Sequence, residues 1–183
     1  MRRLTYVFTA AALLGLAVPG QAQSREGVMG ELIRDVNEVE KKIMDLAKAM
    51  PAPAHEWRPA KGVRSTAEVL MHVAADNYFM PAVMGTAAPA ETGITKEYKT
   101  AAAFEKKKVS RDAVFAEVQK SFAFLKNAMA AMPEARLNDP AEAFGEKTTK
   151  RGMWILAVTH LHEHLGQLIA YARSNNVVPP WSK

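Results

Sequence analysis

Three of the chain's five histidines fall within five residues, in the stretch Thr159-His160-Leu161-His162-Glu163-His164-Leu165-Gly166-Gln167. Four residues of helix come round to nearly the same direction, so His160 and His164 share one face, where two imidazoles can hold a metal ion. His162 lies two residues from each and points to roughly the opposite side, as a surface imidazole, a support for the ligands or a contact with a second subunit. A third ligand must come from elsewhere. His72 is the candidate, because its setting in Val69-Leu70-Met71-His72-Val73-Ala74 turns it toward an interior. A lone histidine on an apolar face packs more often than it ligates; the His160/His164 pair gives His72 a reason to do more.

Three neutral imidazoles leave a divalent cation coordinatively unsaturated, the arrangement of a site that keeps a position open for water or substrate. The chain has no cysteine, so thiolate ligands, thiol nucleophiles and disulfides are excluded. Nitrogen ligation suits zinc, nickel or ferrous iron, and spacing does not choose among them. Asp76, one turn after His72, is the candidate catalytic group: it can accept from an imidazole N–H, position a water or take a proton. Gln167 and Glu163 are candidate supports for the paired imidazoles, with a solvated position the simpler reading of Glu163. Asn77 and Tyr78 are candidates for the mouth of the site, Tyr78 also for packing. In the segment before the second helix, Arg58 is placed to meet an anionic substrate and His55 is expected to be exposed. Trp57, Trp154 and Trp181 read as core or tail packing.

Helices must position these groups. From Ser24 to Met50, Val28, Leu32, Val36, Val39, Ile43, Leu46 and Met50 recur at three or four residues, which predicts an amphipathic helix stopped by Pro51-Ala52-Pro53. Residues 55–64 contain two breakers and read as an ordered loop. Ser65-Thr66-Ala67-Glu68 is a capping box that starts a second helix, expected to end near Phe79, before Pro81. After a loop from Gly85 to Gly93, Thr100 to Phe104 suggests a short helix and Lys106 to Lys108 a solvated charge run. Ser110 caps a third long helix with Val114, Val118, Phe122, Leu125 and Met129 on one stripe, ending near Pro133. Residues 134–147 are polar with turn signals, and no strand pattern matches the strength of the helical ones. Thr148 or Thr149 caps a fourth helix that runs to about Ser174 and carries the three clustered histidines. Val177 to Lys183 should return across the helices as an extended tail. The expectation is an all-α protein, a four-helix bundle without internal repeats.

At 183 residues, 49% hydrophobic and 23% charged, the chain suits one compact domain with a substantial core. Its first residues are read separately. Arg2 and Arg3, the apolar run Phe8 to Val18 and Gly20-Gln21-Ala22 form the three parts of a signal peptide, assigned to residues 1–22, with the bundle domain at 23–183. An uncleaved membrane anchor is the alternative, but the run is short for a span of about 20 residues. Cleavage implies a periplasmic or secreted protein with no stable membrane insertion. Loss of the two arginines lowers the formal charge from +5 to +3, and acids interleave with bases throughout, so the basic stripe of a nucleic-acid binder is absent.

Beyond these readings, the chain resembles a known family. Glu68-Val69-Leu70-Met71-His72-Val73-Ala74, preceded by Trp57-Arg58-Pro59 and Gly62-Val63-Arg64-Ser65, together with His160 to Gln167, Tyr171-Ala172-Arg173 and the Val177-Val178-Pro179-Pro180 tail, is similar to the DinB family, within the DinB and mycothiol-dependent maleylpyruvate isomerase superfamily. The resemblance covers nearly the whole mature chain. It implies a four-helix bundle, often a homodimer, with a metal held by three histidines, here His72, His160 and His164. It also implies, from the characterised relatives, thiol-dependent transfer or isomerisation in which the metal activates a small thiol. This chain has Leu165 where the family frequently has Arg before Gly-Gln. The functional expectation is an exported metalloprotein, a metal-dependent transferase or hydrolase acting on an unidentified small molecule. The alternative from another class is a non-catalytic metal-binding or stress-associated module.

Overall fold

The computed structural model describes residues 27–182; the expected signal segment, residues 1–22, lies outside them. The architecture is a bundle of six helices, four of them long. Helix α1 spans Gly27–Ala49 and buries Val36, Val39, Ile43 and Leu46 at the expected spacing. Its first turn is capped from a distance, since the Met29 amide donates to a carboxylate oxygen of Glu134 at 3.0 Å, a negative charge at the positive end of the helix. The Pro51 to Pro53 segment ends α1, as read from the sequence. The chain then makes one short helix, α2 (Ala52–Glu56), with proline in its first turn, where the missing N–H is not needed.

Helix α3 (Thr66–Val83) begins at the capping box: the Glu68 amide donates to the Ser65 hydroxyl and the Ser65 amide to the Glu68 carboxylate. Fourteen of its 18 residues are buried, so it is the central element rather than a helix with a wet side. It packs on α5 (Arg111–Ala130) and α6 (Lys150–Ser174), and α1 closes the other side against the same two helices. Short helix α4 (Tyr98–Phe104) lies against α3.

Three expectations are corrected here. Helix α3 does not end at Phe79 but passes through Pro81 to Val83. Proline in a helix interior costs about 3 kcal/mol; burial of Phe79 and Met80, both 3% exposed, offsets this at roughly 2 kcal/mol per side chain. Within residues 134–147, Pro140–Ala143 (β1) and Glu146–Thr149 (β2) pair as an antiparallel hairpin. Its two turn residues, Phe144 and Gly145, both have positive φ, the handedness that matches strand twist. Finally, the carboxy-terminal tail is not wholly extended, for Pro180–Ser182 forms a turn against α1. Of the two threonines offered as a cap for α6, Thr149 serves, accepting from the Gly152 amide. Among the described residues, no helix is long and apolar enough to cross a membrane.

Candidate metal centre

The three histidines named from the sequence meet inside the bundle. His72 comes from the middle of α3, and His160 and His164 from successive turns of α6. One ligand nitrogen from each lies within 4.8 Å of the other two, and His72 and His164 are buried while His160 is partly so. Nε2 of His160 and Nε2 of His164 are 3.1 Å apart. The Asp76 carboxylate joins them, with Oδ2 3.3 Å from Nε2 of His72 and 3.2 Å from Nε2 of His160. It makes no such contact with His164.

These spacings can be compared with a coordination shell. Donors about 2.0–2.1 Å from a tetrahedral zinc ion stand roughly 3.3–3.4 Å from one another. The separations of 3.1, 3.2 and 3.3 Å, one between His160 and His164 and two involving Asp76, are of that size, while the ligand nitrogens of all three histidines lie within 4.8 Å of one another, an arrangement compatible with a metal site. The sequence offered no fourth ligand; the structure puts Asp76 at ligand spacing from two of the three imidazoles.

The outward nitrogens are tied down. Nδ1 of His72 donates to Glu105 Oε2 at 2.6 Å, and Nη2 of Arg64 donates to both oxygens of the same carboxylate at 3.2 and 3.1 Å. For His164 the direction of every bond follows from one atom. The Arg64 carbonyl can only accept, so the Tyr171 hydroxyl donates to it at 3.1 Å. That hydroxyl therefore accepts from Nε2 of Gln167 at 3.0 Å, which leaves Gln167 Oε1 facing Nδ1 of His164 at 2.9 Å. An amide oxygen there requires the proton on Nδ1, and Nε2 of neutral His164 keeps its lone pair pointing inward. In the metal-free protein His160 then donates Nε2–H to that lone pair, and a cation would take the place of this one proton.

Electrostatics keep the imidazoles neutral. Burial lowers the pKa of all three, reinforced at His72 by Arg64 and His164, and at His160, which falls to about 3, by its two neighbours. Burial acts oppositely on Asp76, pushing it up to about 7, with Glu105 adding to the rise and Arg64 opposing it. The imidazoles of the cluster are thus neutral near pH 7, with lone pairs free of protons.

Other sequence-derived candidates sort clearly. Gln167 supports His164, as expected. His162 is exposed, facing away from the cluster, and its Nε2 lies 3.0 Å from both carboxylate oxygens of Asp35 on α1. Glu163 is exposed. Asn77 does not reach the mouth of the site: it donates to Ser121 on α5 at 3.1 Å. Tyr78 is buried and donates to Glu117 at 2.8 Å, a packing position with its hydroxyl satisfied. Arg58 is not poised for substrate, because it is spent on the Val63 carbonyl and both oxygens of Glu68, bracing the capping box. His55 is not exposed but buried at 2%; its Nε2 donates to the Ala47 carbonyl at 3.0 Å, and Phe115 covers its ring. Trp154 is fully buried, Trp57 sets its ring edge-on to Tyr171 and Trp181 remains 40% exposed. Glu105 and Arg64 were not assigned to the site from the sequence. Arg64 lies within the Gly62-Val63-Arg64-Ser65 segment that resembles the family, whereas Glu105 precedes the plain charge run Lys106 to Lys108.

The fold and its interior thus define a helical bundle in which three histidines, two buried and one partly buried, converge in an arrangement compatible with a metal site. The chain belongs to the DinB superfamily, whose family model matches residues 35–168. Solved structures share the fold. A DinB-like protein from Bacillus subtilis matches with TM-score 0.60 at 18% identity, over 81% of this chain and 93% of that one. A conserved protein from Enterococcus faecalis matches with TM-score 0.67 at 15% identity, over 81% and 96%. A protein assigned to the DinB family from Exiguobacterium sibiricum matches with TM-score 0.60 at 22% identity, over 79% and 89%. No curated protein sequence matches the chain.

Proposed function

We propose that the protein binds one divalent metal ion through Nε2 of His72, His160 and His164, and uses it on a small-molecule substrate in a transfer or hydrolysis reaction. The observation that carries this reading is the polarity of the imidazoles: His72 and His164 have Nδ1 held by an outer acceptor, and the inner nitrogens converge. Zinc, nickel and ferrous iron are all compatible with three nitrogen donors. When bound, such an ion supplies a Lewis acid that lowers the pKa of a water or thiol at its open position.

The chain's own residues do the rest. Glu105 and Gln167 orient two of the rings and raise their basicity. Asp76, beside two of the three inner nitrogens and beyond contact with the third, is the proton acceptor at the open side. The apolar surroundings of α3 and α6 exclude bulk water and strengthen every interaction within.

The test is elemental analysis and calorimetry on metal-free protein titrated with zinc, nickel and iron. One equivalent should bind, His72→Ala and His164→Ala should each lose it, and Asp76→Asn should retain it while losing turnover. Wild-type stoichiometry in both histidine variants rules the site out.

A further inference from the structure

Beside the histidine cluster, and walled from it by the Arg64–Glu105 ion pair, lies a cavity of about 490 Å³. It opens between the start of α3 and the Glu105–Val109 segment that leads into α5, and no histidine lines it. Its volume falls in the range of small-molecule sites, about 300–1,000 Å³.

Charge and polarity say what fits. Five cationic and three acidic side chains line the cavity. Arg58 engages the Val63 carbonyl and both oxygens of Glu68 through Nη1 and Nη2. Arg64 is different, for it engages Glu105 through Nη2 alone, which leaves Nε and Nη1 without a protein acceptor among the described residues. Lys107 lies over the Phe104 ring at 4.3 Å, and Lys106 and Lys108 are exposed, with no ion pair among the described residues. With Glu68 and Glu105 paired to Arg58 and Arg64 and Glu56 exposed, five cations against three acids leave the lining a net charge of +2. Below these charges the wall is apolar, from Met71, Val109 and Val114.

We propose that this cavity is a binding site for a small organic anion, its acidic group held by Arg64, Lys106 and Lys108 and its apolar body resting on Met71, Val109 and Val114. The site stands whether or not the histidines hold a metal. Its occupant would touch the Arg64–Glu105 ion pair that supports His72.

The experiment uses the full chain stripped of metal and two fluorescent probes of similar shape, 8-anilinonaphthalene-1-sulfonate and the neutral N-phenyl-1-naphthylamine. The sulfonate should bind at one site, at least about tenfold more tightly than the neutral probe, and the difference should shrink with added salt. The double variant Lys106→Ser with Lys108→Ser should weaken the sulfonate about tenfold, leave the neutral probe unchanged and keep full helicity. Val109→Asp, which adds a carboxylate to the wall, should weaken the sulfonate further. Equal affinity for the two probes, or a sulfonate affinity indifferent to these variants, overturns the proposal. Because metal is absent throughout, failure of the metal reading leaves this result intact, and the reverse also holds.

Discussion

Replacing Tyr171 by Phe tests how far outward the histidine geometry is built. The hydroxyl is the middle of the chain that runs from the Arg64 carbonyl through Gln167 to Nδ1 of His164. Its removal strands one carbonyl and one amide N–H in a part-buried setting. Two lost hydrogen bonds at about 0.5–1.5 kcal/mol each give a destabilisation of roughly 1–3 kcal/mol, or about 2–12 °C in Tm for a domain of this size. A purely structural bond would stop there. Without the hydroxyl, nothing fixes which way the Gln167 amide points, and a flipped amide presents its N–H₂ to Nδ1, moving the histidine proton to Nε2. Resisting that flip was worth about one hydrogen bond, so zinc affinity should fall about three- to tenfold. Gln167→Ala, which removes the direct partner, should cost about 10–100-fold. Competition with a chromogenic chelator reads the affinity, and nitrogen chemical shifts of the imidazoles read the tautomer. Loss of stability with unchanged zinc affinity and an unchanged His164 tautomer would refute the reasoning.

Other expectations concern pH, packing and processing. Three histidines of ordinary pKa, about 6.5, would each be only about one-tenth neutral at pH 5.5, and their joint metal affinity would drop about a thousandfold from pH 7.5. Burial lowers all three here, so their lone pairs stay available as pH falls, and calorimetry should find a loss below about a hundredfold; a thousandfold loss contradicts the buried setting. The Thr66 hydroxyl is fully buried without a partner, so Thr66→Val should raise stability by about 1 kcal/mol in urea unfolding, and a loss would mean that a water satisfies it. Protein recovered from the periplasm of an expressing bacterium should have the intact mass of a chain starting at Gln23, whereas a Met1 start would show that the leader is retained.

Much of the site was legible because helical direction is a local property. His160 and His164 share a face at any place in any bundle, and Ser65 with Glu68 announces a helix start regardless of what lies around it. His72 could be chosen because Val69, Leu70, Met71, Val73 and Ala74 flank it with apolar side chains. What stayed hidden depends on contacts between distant segments. Glu105 reaches His72 from a connecting segment, where no periodicity records direction, and Arg64 reaches Glu105 across the same gap. His55 looked like a loop residue until Ala47 supplied an acceptor and Phe115 a cover. Pro81 failed to stop α3 because the burial around it outweighs one missing hydrogen bond. The hairpin escaped notice because Ala141, Glu142, Lys147 and Thr148 show none of the alternation that marks a half-buried strand.

The burial of α3 on nearly every side bears on how such a protein can vary. A helix with an outer face can accept substitutions there without disturbing its neighbours. Fourteen of 18 positions on α3 lack that freedom, and each change of volume must be answered on α5, α6 or α4. The helix that carries His72 and Asp76 therefore leaves this chain little room for independent change. Novelty in what the protein handles is more cheaply written into the connecting segments, where Lys106 to Val109 line the neighbouring cavity and are exposed, so that a substitution meets solvent rather than a packed partner.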